Sequence, residues 1–90
     1  MTNIDVLREK ILLDNYELTG HAFEEAKEDN LNILDIESAI LYGKIIKTLL
    51  NDPRGKRYIV EGQSRDKRSM HVVCRILPSG KLRIITVYSL

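Results

Sequence analysis

The spacing of apolar positions changes once along the chain, near residue 43. Before that point they recur every three or four residues, the mark of helices that bury one stripe. Ile4, Leu7 and Ile11 form the first stripe, with Thr2 or Asn3 as the cap and Asp5 at the favourable end of the helix dipole. This helix is expected to end near Asp14-Asn15. Thr19-Gly20-His21 opens a second, capped by Thr19, with Ala22, Phe23 and Ala26 inward and Glu24, Glu25 and Glu28 outward. Asp29-Asn30 breaks it. In a third, Asn32 is the cap and Asp35, three residues on, gives capping-box spacing. Ile36, Ala39 and Ile40 are its buried stripe, and Gly43 is placed to terminate it.

Beyond Gly43 the period is two. The β-branched run Ile45 to Leu50 reads as a strand, and Asn51-Asp52-Pro53-Arg54-Gly55 as a turn in which Pro53 presets one angle and Gly55 closes the bend. Arg57 to Glu61, Met70 to Leu77 and Leu82 to Tyr88 complete four strands, joined by the polar stretch Ser64 to Arg68 and the tight turn Pro78-Ser79-Gly80. The expected architecture is α+β within one domain, residues 1–90. Three helices (1–43) pack on one face of a four-stranded antiparallel sheet (44–90). Alternation sends Met70, Val72, Cys74 and Ile76 to the helices and His71, Val73, Arg75 and Leu77 to the other side. On the last strand both alternating sets are mixed, so its inner face stays open. A sheet covered on one face leaves the other wet. That wet face would gather His71, Arg75 and Arg57.

Composition adds constraints. Ninety residues, 43% hydrophobic and 30% charged, give a single ordered domain with a thin core. No apolar run approaches the roughly 18 residues of a membrane span, and no membrane partner is expected. No secretory signal is visible at the N-terminus. One cysteine, Cys74, forbids an internal disulfide and fits a reducing, cytoplasmic compartment. The net charge of +1 conceals polarity: residues 1–43 carry three basic and ten acidic groups, and residues 44–90 eleven and three. Such asymmetry points to a polyanion or an acidic protein as partner, or to two halves that neutralise each other. Arg65, Lys67 and Arg68 suit contacts to RNA phosphates, or form a solvated hairpin tip. One cysteine and two histidines make no zinc set, and no phosphate-loop spacing occurs, so neither a metal nor another cofactor is expected.

Thr19-Gly20-His21-Ala22, Asp35-Ile36 to Gly43-Lys44, Arg57 to Gly62, Met70-His71-Val72-Val73 and Ile84-Ile85-Thr86-Val87-Tyr88 together resemble a small bacterial and archaeal family catalogued as a domain of unknown function. The resemblance spans residues 19–88. The set is also similar to the BrnT and RelE class of toxin ribonucleases, which place helices before an antiparallel sheet. That likeness implies metal-independent RNA cleavage, in which the ribose 2′-hydroxyl attacks the adjacent phosphate. It implies catalytic roles for His21, Arg57, His71, Thr86 and Tyr88, with Arg75 and the 65–68 cluster on RNA, and an acidic antitoxin as protein partner. The lysine–arginine–tyrosine arrangement of RelE itself has no aligned counterpart here. Each candidate has a plainer reading: His21 and Tyr88 as packing residues, Arg57 paired with Glu61 or Asp52, His71 as a cross-strand neighbour, Thr86 as an ordinary strand residue. The rival function is a non-catalytic module that binds RNA or protein through a basic sheet face. Self-association as a homodimer stays open.

Overall fold

The computed structural model describes residues 3–90. Its elements are α1 (Ile4–Leu12), β1 (Tyr16–Leu18), α2 (Gly20–Glu28), α3 (Ile33–Tyr42), β2 (Lys44–Leu49), β3 (Arg57–Gln63), β4 (Ser69–Ile76) and β5 (Leu82–Ser89). Local chemistry explains most boundaries. Asn3 caps α1, its side-chain oxygen accepting from Asp5 N at 2.9 Å; Thr2, the other expected cap, lies outside the described residues. Thr19 Oγ1 accepts from Ala22 N at 3.1 Å and starts α2. Asn32 and Asp35 form a full capping box on α3. The turn at Pro53 closes through Gly55 N to Asp52 O at 3.0 Å, with Gly55 at φ +114°, where a side chain would be strained.

The sheet has five strands in the order β1-β5-β4-β3-β2. This corrects the expected four-stranded antiparallel meander. β2 to β5 are antiparallel neighbours as expected, but Tyr16–Leu18 adds a parallel strand beside Leu82–Ile84. A three-residue strand is too short to show a period, so its pairing comes from tertiary context. The core lies between the helices and one sheet face. Leu7, Ala22, Ile36, Ala39 and Ile40 meet Val60, Met70, Val72, Cys74, Leu82, Ile84 and Val87 there. Phe23 is a second correction: at 58% exposure it lies outside the α2 stripe, which Ala22 and Ala26 supply.

Gly43 ends α3 by close approach and not by a left-handed turn, since its φ is −93°. A Cβ there would stand 2.2 Å from Ala39 O, and one at Gly62 the same distance from that oxygen. Two glycines therefore let α3 sit directly on the β3 backbone.

The two rims of the sheet differ. Along β5 beyond β1, Thr19 Oγ1 donates to Ile85 O at 3.1 Å. Val87 N donates to Glu25 Oε1 at 3.2 Å and Ser89 N to Asp29 Oδ2 at 2.8 Å. Thr19 and the carboxylates of α2 thus close that rim. β2 pairs with β3 alone.

Candidate functional site

The helices cover one face of the sheet; the other carries the chemistry. A bulge decides which residues of β5 reach it. His71 faces Tyr88 and Val73 faces Thr86, but Cys74 faces Ile84, so Ile85 is an extra residue in β5. Across it the inward set shifts from Leu82 and Ile84 to Val87. Arg83, Ile85, Thr86 and Tyr88 all end on the uncovered face. This shift explains why both alternating sets of the last strand looked mixed in sequence.

At one end of that face His71 bridges two partners. Its Nδ1 is 3.0 Å from the Tyr88 hydroxyl and its Nε2 is 3.1 Å from Glu61 Oε2. The imidazole and phenol rings meet edge to face, centroids 5.3 Å apart. A carboxylate at Glu61 accepts only, so Nε2 carries a proton, and in the neutral imidazole Nδ1 then accepts the O–H of Tyr88. The His71 side chain is 17% exposed and that of Glu61 42%, and Tyr88 is partly buried. Lys44 stands opposite Glu61 across β2 and β3.

The other end is an arginine cluster folded around Asp52, which the β2–β3 loop bends over the sheet. Asp52 Oδ2 lies 2.9 Å from Arg57 Nε and 3.0 Å from an Arg75 Nη, and Oδ1 lies 3.7 Å from Arg54 Nε. Arg57 Nε is buried and out of line for a hydrogen bond despite its closeness. The backbone N–H of Arg54, outweighing partial burial, and then the guanidiniums of Arg75 and Arg57 hold the Asp52 carboxyl below its ordinary range. Arg83 pairs with Glu17 at 3.0 Å. Thr19, Arg54, Arg57, Arg75, Leu77, Arg83 and Ile85 enclose a cavity of about 300 Å³.

The structure therefore brings His71 and Tyr88 together, sets Thr86 beside them, and gathers Arg57 and Arg75 on the same face. His21 does not join them. It projects from the start of α2, 69% exposed, and its Nε2 is 3.3 Å from Glu25 Oε1, the atom that accepts from Val87 N. Its visible work is to brace the α2–β5 seam. Arg65 and Arg68, with side chains 52% and 37% exposed, are likewise tied to other parts of the chain. Arg65 donates to Asp35 through its backbone N at 2.9 Å and through Nε at 3.3 Å. Arg68 caps the end of α2, donating to Asp29 O at 2.6 Å and Asn30 O at 2.9 Å. Lys67 alone of that trio is exposed without such a tie, at φ 67°.

Sequence reasoning missed Arg54, Arg83 and Lys44 as members of the face and named Asp52 and Glu61 only as alternative partners of Arg57, of which the structure shows Asp52. The alternation of β3 already set Glu61 beside Arg57, and register against β4 places it opposite His71. Asp52 was expected at most beside Arg57; its further reach to Arg75 and Arg54 carried no signal, because a loop residue has no periodic face. Cys74 is sealed in the core, where burial pushes its thiol up to about 12, so it takes no part in this surface. Among the described residues no three His, Cys, Asp or Glu side chains are grouped to hold a metal ion. No helix there is long and apolar enough to cross a membrane.

Fold and face together define a small α+β protein with a charged, uncovered sheet surface. The chain belongs to the family described as "Domain of unknown function (DUF4258)", whose model matches residues 18–89. No curated protein and no solved structure matches it.

Proposed function

We propose that this protein cleaves RNA without a metal, as a toxin ribonuclease of the RelE and BrnT kind, and that the uncovered sheet face is its active surface. The observation that carries this reading is the Glu61–His71–Tyr88 chain of hydrogen bonds beside the arginine cluster. Such a chain has the logic of a nucleophile–base–orienter triad. Glu61 fixes the imidazole so that Nδ1 can take the Tyr88 proton. Tyr88 oxygen in turn takes the proton of a ribose 2′-hydroxyl. The 2′-oxygen then bonds to phosphorus, the P–O5′ bond breaks, and O5′ gains its proton from water. His71 returns its proton to solvent. Arg57 and Arg75, at the other end of the face, supply paired donors for a phosphate elsewhere on the same strand and so hold it in place. In this reading an acidic antitoxin occupies the same basic face and blocks it.

Binding without cleavage is the second reading, favoured by the fact that both ring nitrogens of His71 are engaged within the protein. One experiment decides between them. Purified protein is incubated with single-stranded RNA and excess chelator. Cleavage by the wild type, lost in His71→Ala and in Tyr88→Phe, supports the ribonuclease. RNA bound but left intact by the wild type favours the binding module and sinks the catalytic reading. In either case binding should weaken steeply as salt rises, through counterion release.

A further inference from the structure

We infer that the arginine cavity is a receptor for a phosphate monoester dianion, and that on an RNA strand this is the terminal phosphate. The second half of that statement rests on the RNA reading; the first half does not.

The cavity is over-supplied with positive charge. Four guanidiniums line it, from Arg54, Arg57, Arg75 and Arg83. Only two carboxylates reach them, Asp52 among the first three and Glu17 on Arg83. Two positive charges are left without a partner. A phosphodiester in the middle of a strand brings one negative charge, whereas a monoester brings nearly two at neutral pH. The dianion closes the balance.

Burial sharpens the argument. The Arg75 side chain is 7% exposed and Asp52 5%, so the centre of the cluster is weakly screened, while Arg54, Arg57 and Arg83 reach solvent at its mouth. Burying an arginine this deeply is costly unless its donors are filled. Each guanidinium has five N–H donors, yet the two Asp52 oxygens serve three arginines, and Arg57 Nε is buried with no acceptor in line. A phosphate group offers three further acceptor oxygens, which paired arginine donors fit in geometry as well as charge. Leu77 and Ile85 contribute apolar surface to the cavity wall.

Place in the fold gives the cavity its meaning. Arg75 and His71 point to the same side of β4, four residues and therefore about 13 Å apart along the strand. A strand whose phosphorylated end sits among the arginines is laid across Val73, Ile59 and Thr86 toward the His71–Tyr88 pair. The cavity would then act as an anchor that measures from the end of the substrate.

The test is binding by fluorescence anisotropy in chelator, on one short RNA sequence prepared with a 5′-phosphate, with a 3′-phosphate, and with hydroxyls at both ends. Inorganic phosphate and a nucleoside monophosphate serve as competitors. At least one phosphorylated strand is expected to bind about tenfold more tightly than the hydroxyl strand, the worth of one charge-assisted pair. In Arg83→Gln, an exposed position whose melting temperature is recorded alongside, this preference is expected to vanish, with the phosphorylated strand losing about tenfold more affinity than the hydroxyl strand. All strands binding equally well would overturn the cavity assignment and leave the RNA reading standing. Displacement of a labelled nucleoside monophosphate by inorganic phosphate, with no strand bound, would uphold the monoester site and overturn its assignment to RNA.

Discussion

Alternate residues of the same strands serve two unlike surfaces. Toward the helices, Val60, Met70, Val72, Cys74, Ile84 and Val87 are wholly buried and carry no charge. Toward the opposite side, Arg57, Glu61, His71, Arg75, Arg83 and Tyr88 are polar or charged, and most are partly open to water. The covered face is held by shape, and its groups have no further bonds to offer. The uncovered face is held by ion pairs that leave donors spare. Stability and chemistry are thus separated by the two-residue period of the strands, and substitutions should fall into two classes.

The largest effect is expected at the contact between α3 and β3. Gly62→Ala puts a methyl 2.2 Å from Ala39 O and 2.7 Å from Ala39 Cα, backbone atoms that cannot turn aside. A loss of about 3 kcal/mol or more, read by urea denaturation, is the expected outcome. A variant as stable as the wild type would show that α3 is not pinned to the sheet.

Next in size is Asp35, which joins the helical layer to the β3–β4 hairpin. Burial pushes its carboxyl up, but the N–H groups of Asn32 and Arg65 and the Arg65 guanidinium outweigh that and hold it below its ordinary value of 3.8. A carboxyl lowered in the folded state stabilises the protein at every pH above its unfolded value. That contribution is lost as pH falls through the lower folded value. Thermal melts should therefore drop below about pH 4. Asp35→Asn should cost about 2 kcal/mol at neutral pH and make the acid decline shallower. An unchanged acid profile would place the acid sensitivity elsewhere, with Asp52 the next carboxyl to replace.

The smallest change in stability belongs to the uncovered face. Tyr88→Phe removes one hydrogen bond to a partly exposed histidine, so a shift of about 1 kcal/mol or less is expected, although RNA cleavage should be abolished. A large loss of stability at Tyr88 would mean that this face is structural too, and the contrast between the faces would fail.

Much of this division could be read from the residues. The caps at Thr19 and Asn32 and the alternation on β4 depend on neighbours close in sequence, and each stands where the pattern put it. Three things were hidden because each depends on distant partners. β1 is too short to show a period and exists because β5 offers it an edge. The Ile85 bulge moves the inner face of β5 and erases simple alternation. Asp52 enters the arginine cluster only when the β2–β3 loop bends back. His21 was legible as the first turn of a helix; its pairing with Glu25, and so its place at the seam, depended on Glu25 reaching Val87.

The unequal rims limit how copies of this chain can stack. Sheet growth from molecule to molecule needs two free borders, one to receive a neighbour and one to pass the pairing on. Here Glu25 and Asp29 already occupy the amides of Val87 and Ser89, so the stretch of β5 beyond β1 has neither of these to offer a neighbour. Strand pairing at that stretch of β5 is therefore disfavoured. Glu25 and Asp29, besides fixing a helix in place, thus shield the last residues of β5 from a foreign strand.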